Sequence, residues 1–402
     1  MDVDRQFKRR QLRTGGWVGL VLTAGALTAC SPEAPPAESA PTTASTTTPY
    51  FPGPGGDWQT RAPADVGMSP EGVQAVVDYA TSHETSMPVD LAQYLTDRFE
   101  GLPHQDIVGP TKERGTPNGI LLRHGYIVAE WGDTDRVDMT FSVTKSYLAT
   151  VGGLAWDRGM IGDLDDRVGD RVTDGGFESE QNAPITWRHL FQQTSEWEGT
   201  LFGKPDIADR REGIDRTLNA PGTFWEYNDI RVNRTALALL RVWEEPLPQV
   251  LKREVMDPIG ASDTWEWHGY ETSWVDVNGE QVQSVSGGGH WGGGMFINTR
   301  DHARFGHLFL NEGRWGAQQL ISKEWVDEMR VPSIEPTYGF MWWLNTDRGR
   351  FPSAPESSFF AIGAASTSTI WIDPEHDIVM VSRWLDAPDV DALIARVLEA
   401  VE

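Results

Sequence analysis

The sequence predicts an α+β fold: an antiparallel sheet assembled from both ends of the chain, with a helical region inserted at about 141–284. Three observations predict it. Strand-like apolar runs lie early, around Ile120–Val128, and late, between Tyr338 and Trp384, while the stretch between them carries its apolar residues mostly at helical spacing. The 402 residues include 39% hydrophobic side chains, with 18 Trp and 15 Phe, which is ample for a packed core.

The chain opens on an address. Lys8, Arg9, Arg10 and Arg13 form a basic segment, and Gly15 to Leu27 is an apolar run of 13 residues, too short to span a bilayer comfortably. Residues 1–29 therefore read as an export signal. Residues 30–60, rich in Pro, Ser, Thr, Ala and Gly without apolar periodicity, read as a flexible tether. The globular domain is expected over 61–402.

Within it, Ser69-Pro70-Glu71 has the pattern of an N-cap with proline at the first helical position, opening an amphipathic helix through Ala80. Ile120–Leu122 and Tyr126–Val128, joined by His124-Gly125, predict a hairpin. Tyr147, Leu148, Val151, Leu154 and Ala155 recur at helical spacing and predict a buried helix starting near Phe141-Ser142. Helices are further expected at Thr186–Gln193, Val232–Trp243 and Leu247–Met256. A glycine-rich segment, Gly287 to Gly294 around His290 and Trp291, precedes a short strand at Met295–Ile297. Thr299 is expected to cap a helix to Leu310, and Ser322 one through Met329. Strands at Tyr338–Leu344, Thr367–Ile372 and Ile378–Trp384 and a last amphipathic helix at Val390–Val401 complete the pattern.

Charge narrows the partners. Thirty-four basic residues against 59 acidic ones give a formal charge of −25, and nucleic-acid binding by counterion release needs clustered Lys and Arg. No nucleic-acid partner is expected. The single cysteine, Cys30, can form neither an intramolecular disulfide nor a thiolate metal site. No cofactor or metal is expected either, since no His, Cys or carboxylate spacing suggests one.

Ser142-Val143-Thr144-Lys145 is a Ser-x-x-Lys motif at the start of the buried helix. Offsets i and i+3 share a helix face, so the lysine amine can sit beside the serine hydroxyl and help activate it as a nucleophile. The helix start adds backbone N–H groups where an oxyanion would form. In Pro221–Asp229, Tyr227 precedes a helix and could pass a proton between nucleophile and leaving group. Phe359 to Ala365 reads as an apolar strand with a small-residue break, where a backbone N–H beside Gly363 would serve as second oxyanion donor. His290 and Trp291 read either as part of a substrate-contacting loop or as a tight turn with Trp291 in the core.

Taken in order, Phe141-Ser142-Val143-Thr144-Lys145, Ile185–Leu190 with Thr194-Ser195, Tyr227-Asn228-Asp229 and the Gly363 strand resemble the class C β-lactamase-like serine hydrolases, including family VIII carboxylesterases and 6-aminohexanoate-dimer hydrolases. The resemblance covers about 61–402 and implies a β-lactamase/transpeptidase-like fold. It implies Ser142 as nucleophile, Lys145 and Tyr227 as the proton-transfer pair, and the N–H groups of Ser142 and Ala364 as oxyanion hole. Asn228, Asp229, Ile362 and Gly363 are expected to contact substrate. Leu27-Thr28-Ala29-Cys30 resembles the lipobox of bacterial lipoproteins, which implies Cys30 as the lipidated residue that anchors the mature chain to a membrane of the cell envelope.

Two positions depart from the pattern. Asp229 stands where the family has asparagine; an acid beside Lys145 would hold it charged and shift proton abstraction to Tyr227. Ala361-Ile362-Gly363 replaces Lys-Thr-Gly or His-x-Gly, so the group that usually receives a β-lactam carboxylate is missing, unless Arg123 or Arg231 substitutes. The reading is thus an exported serine hydrolase of small esters or amides. The alternatives are a β-lactamase or D-alanyl-D-alanine carboxypeptidase, and a non-catalytic envelope binding protein.

Overall fold

A computed structural model describes residues 49–402. The export signal, Cys30 and the first part of the tether lie outside the described residues.

Helices α1 (Pro70–Ser82) and α2 (Leu91–Phe99) lead into the hairpin of β1 (Asn118–Arg123) and β2 (Tyr126–Trp131), followed by β3 (Asp138–Met139) and α3 (Thr144–Asp157). After α4 (Trp187–Phe191) and the small hairpin β4 (Thr200–Leu201) with β5 (Lys204–Pro205) come α5 (Asp229–Trp243) and α6 (Leu247–Leu251). Strands β6 (Glu266–Val277), β7 (Glu280–Val285) and β8 (Gly294–Ile297) precede α7 (Thr299–Leu310), the hairpin β9 (Arg314–Trp315) with β10 (Gln318–Gln319), and α8 (Lys323–Glu328). The chain closes with β11 (Trp343–Leu344), β12 (Phe359–Ile362), β13 (Ser368–Asp373), β14 (Ile378–Arg383) and α9 (Ala387–Glu399).

As expected, both chain ends build the main sheet, in the order β11-β12-β13-β14-β1-β2 and antiparallel throughout. Strand alternation sorts its side chains into two cores. Leu121, Phe360, Ile362, Trp371, Ile378 and Met380 pack with Val73 and Val76 of α1 and Leu393, Ile394 and Val397 of α9. Ile120, Leu122, Phe359, Ala361, Ile370, Val379 and Val381 belong to the larger core, which includes α3, α5 and α7. Both faces of β14 are buried, which accounts for its continuous apolar run.

The inserted region is not all helix. Strands β6 and β7 form a hairpin within a second sheet of order β3-β8-β6-β7. Asn278 and Gly279 at its tip have φ of 54° and 88°, the left-handed pair that tight hairpin turns require. The helical reading of 141–284 is corrected there; the Asn-Gly signal was present. Helix α2 was also unforeseen, although Asp90 caps it and Leu91, Leu95 and Phe99 recur one turn apart. Of Tyr338–Leu344 only β11 pairs as strand, because Met341, at φ 56°, turns the chain. Asn298, not Thr299, caps α7; the Thr299 hydroxyl instead donates to Asn118.

The expected tether is shorter than 30–60. Tyr50 stacks on Tyr126 at 4.4 Å, and the Trp58 indole donates to the Gly125 carbonyl while Arg304 lies over its ring. Packing of two aromatic rings outweighs the Pro/Gly composition around them.

Two buried histidines make stability depend on pH. Burial pushes His302 well below its ordinary value and His307 down to about 4. Their folded-state pKa values lie below the unfolded one, so stability is full above about 6.5 and is lost as pH falls toward 4. The melting temperature should be level from pH 8 to 7 and decline steadily below 6.5; a level profile down to pH 4 would contradict this.

Candidate active site

Ser142 lies in the 3-10 turn Phe141–Val143, which runs directly into α3. The turn is held by side chains: Thr144 Oγ1 donates to the Phe141 carbonyl at 2.6 Å and accepts from Met295 N at 3.0 Å. Phe141 takes a φ of 50°, a conformation costly for a bulky residue and kept only where surrounding bonds impose it. Helix α3 is buried around its whole circumference, since Gly152 and Gly153 let the Phe191 and Trp325 rings approach its backbone.

Lys145 is one turn along and almost wholly buried. Its Nζ donates to Ser142 Oγ at 3.0 Å and pairs with the Asp229 carboxylate at the start of α5. Burial alone would lower the ammonium's pKa, but Asp229 and Tyr227 reverse that and hold it above its ordinary value. Burial likewise pushes Asp229 up, and Lys145 and then His290 more than offset it, so its carboxyl sits below the usual range. The pair is therefore ionised near neutrality, and Lys145 is a charged hydrogen-bond donor to the serine. The Tyr227 ring lies 4.6 Å from Nζ, placing the phenol residue on the same group.

The glycine-rich segment backs this pair. A side chain at Gly288 would bring a Cβ within 2.2 Å of Lys145 Nζ, so only glycine allows the approach. His290 stacks on Phe99, with Nδ1 3.6 Å from Asp209 and 3.8 Å from Asp229, and burial lowers its pKa. Asp209, Asp229 and His290 bring three metal-capable atoms within 4.8 Å of one another, a grouping the sequence spacing did not suggest. Lys145 and Arg211 already pair with the two carboxylates.

At the sheet edge, Gly363 follows β12, and a Cβ there would lie 2.7 Å from the Thr140 carbonyl oxygen. The late strand thus abuts the turn that carries Ser142, which puts Ala364 beside it. Gly363 N, Ser366 N and Thr367 N close the turn by donating to Ser368, Gly363 and Ala364 carbonyls. The Ala364 N–H has no such partner among the described residues.

Three expected contacts are corrected. Asn228 is wholly buried as the N-cap of α5, accepting from Ile230 and Arg231 N–H and donating to the Asp206 carbonyl, so its amide serves the helix start and is shielded from a substrate. Trp291 is buried among Phe99, His290 and Tyr270 and serves as core. The Ile362 side chain points into the α1/α9 core, on the opposite face of the sheet from α3.

The sequence reading missed the ion-pair cluster that anchors the Tyr227 segment. Arg216 bridges Glu196 and Glu226, and Arg231 pairs with Glu196 in full burial. Burial would raise Glu196, yet Arg216 and Arg231 bring it to about 2. The Tyr227 ring in turn stacks on Trp343 at 5.8 Å and meets Tyr338 edge-on.

Residues 120–400 match the family described as Beta-lactamase. A curated Escherichia coli O157:H7 protein, provisionally assigned as a D-alanyl-D-alanine carboxypeptidase, is 26% identical over 231 residues, 48% of this chain and 53% of that one. The chain thus spans about half the length of that relative. A family VIII carboxylesterase structure superposes with TM-score 0.56 at 16% identity, covering 83% of this chain and 99% of the other. A provisionally assigned 6-aminohexanoate-dimer hydrolase from Bacillus anthracis gives 0.53 at 14% identity, covering 70% and 77%.

Proposed function

The chain belongs to the beta-lactamase family of serine hydrolases, and from that premise we propose that it cleaves small carboxylic esters or amides through an acyl-enzyme on Ser142. The observation that carries this reading is the Lys145 ammonium, held charged by Asp229 and donating to Ser142 Oγ at 3.0 Å. Tyr227 then acts as base: its phenolic oxygen takes the Ser142 proton as Oγ attacks the carbonyl carbon, and returns it to the departing alcohol or amine. Lys145, donating to Oγ, steadies the nucleophile. The N–H groups of Ser142 and Ala364 receive the oxyanion. Water, deprotonated by the same tyrosine, hydrolyses the acyl-enzyme. Labelling by a fluorophosphonate probe, lost in Ser142→Ala, tests the reading; an unlabelled wild-type protein would favour a non-catalytic binder.

The name of the E. coli relative favours a carboxypeptidase as second reading. Ala361 weighs against it: charge-assisted hydrogen bonds to a substrate carboxylate contribute roughly 1.5–3 kcal/mol, and neither Ala361 nor Ile362 can make one. A short-chain nitrophenyl ester should therefore exceed a chromogenic cephalosporin in kcat/KM by about one to two powers of ten. A preference for the cephalosporin would restore the carboxypeptidase or β-lactamase reading.

The basic segment, short apolar run and Leu27–Cys30 further support an exported protein anchored by lipid on Cys30. Loss of residues 1–29 would leave 29 basic against 57 acidic residues. Cys30→Ser should release the protein from membranes or block processing; unchanged fractionation and mass would contradict the anchor.

A further inference from the structure

Arg350 is a cation without an anion. Its guanidinium lies 4.3 Å from the Trp343 ring centroid and 5.6 Å from that of Phe351, and its Nε is buried without a hydrogen-bond partner. Among the described residues it forms no ion pair. Burial lowers its pKa to about 10, with Tyr227 and Glu335 acting in the opposite direction, so it stays charged near neutrality. Glu335 acts on it at a distance but forms no ion pair with it; its Oε1 instead accepts from the Thr337 N–H and hydroxyl. The other arginine against the Tyr227 ring, Arg211, is matched to Asp209, and Arg210, Arg216 and Arg231 pair with Asp206 and Glu196. In a chain with 59 acidic residues, one half-buried guanidinium left unmatched beside the nucleophile's tyrosine needs a reason.

The loop that presents Arg350 is built to hold it. Asn345, wholly buried, accepts from Arg350 N at 3.2 Å and Phe351 N at 3.0 Å, and its amide donates to the Phe351, Ala354 and Pro355 carbonyls at 3.0 Å each. Trp343 gives the guanidinium a flat support and stacks on Tyr227 in turn, so Arg350, Trp343, Tyr227 and Lys145 form one layered array ending at Ser142. A planar guanidinium on such a support offers its remaining donors as a fork that matches a carboxylate.

We infer that Arg350 is the receptor for a carboxylate that the substrate carries several bonds from its scissile carbonyl. The inference rests on the serine-hydrolase reading above and narrows it to acidic esters or amides, such as half-esters of aliphatic dicarboxylic acids. It differs from β-lactam recognition, because a β-lactam carboxylate lies next to the ring nitrogen, near the β12 strand, whereas Arg350 stands beyond two aromatic rings. It also replaces the two arginines the sequence offered: Arg231 is taken up by Glu196, and Arg123 lies at the β1–β2 turn under the influence of Asp377 and Asp373.

The test compares wild type with Arg350→Gln on three nitrophenyl esters: the butyrate, the hemiglutarate with its carboxylate on the acyl chain, and a butyrate whose nitrophenol leaving group bears the carboxylate. The kcat/KM ratio of one acidic ester to the neutral one should fall by about 10- to 100-fold in Arg350→Gln, and the ester affected tells which side of the scissile bond faces the arginine. Unchanged ratios for both acidic esters would overturn the proposal. A second measurement does not depend on turnover: monomethyl glutarate titrated into Ser142→Ala, followed by tryptophan fluorescence, should bind at least about tenfold more tightly than to Ser142→Ala/Arg350→Gln. Equal affinity overturns the carboxylate site. Failure of the wild type to label with fluorophosphonate overturns the hydrolase reading, and the titration still decides the arginine's role.

Discussion

Ser142→Ala is expected to remove several powers of ten from the turnover of an aryl ester while the protein stays folded. On the proposed mechanism the hydroxyl oxygen forms the acyl bond, and deletions of a nucleophile from a concerted catalytic group lose nearly the whole rate enhancement. Its structural part is small. Ser142 makes no capping bond, and the turn that holds it is secured by Thr144 and Met295. The charged Lys145 keeps its partner Asp229, so no ion is left unpaired in the interior. Melting temperature should change by no more than a few degrees, in line with about 1 kcal/mol. Turnover within tenfold of wild type would show that Ser142 is not the nucleophile.

Tyr227→Phe is expected to cost about 10²- to 10⁴-fold in kcat, the range for a positioned acid–base group. The reason is the charge state imposed by Asp229: a lysine kept protonated cannot accept the serine proton, which on the proposed mechanism leaves that role to the Tyr227 oxygen. The substitution removes one oxygen and keeps the ring that packs on Trp343, Trp225 and Tyr338. Stability should therefore hold while rate collapses, and KM should change little. A loss of less than tenfold would return the role of base to Lys145. Asp229→Asn would then be informative too, since removing the carboxylate frees burial to lower the lysine's pKa.

The placement of Ser142 beside Lys145, and of Gly363 at the end of an apolar strand, was legible because each is a local signal: a hydroxyl and an amine one helical turn apart, or a small residue closing an apolar strand. Tyr227 and Asp229 became legible through their order along the chain. Asn228 was misread because an N-cap and a substrate contact use the same amide, and only the burial of its Oδ1 and Nδ2 separates them. Ile362 was misplaced for a related reason: sequence gives nearness along the chain, not which face of a sheet a side chain takes once register is set. For Trp291, left open between loop and core, burial among aromatic rings decides for the core.

The sequence by itself determined the α+β class, the main sheet from both ends and the helix that starts just after Ser142. Periodicity, capping residues and i to i+3 spacing act within a few residues, so they survive without tertiary context. Only the tertiary structure decided that Asp229 keeps Lys145 charged, that Glu196 is shared by Arg216 and Arg231, and that Arg350 is left without a carboxylate. Those outcomes depend on burial and on pairs up to 84 residues apart in sequence in the case of Lys145 and Asp229. The energy of a charge is set by what replaces the water around it, and that is known only when the chain has folded.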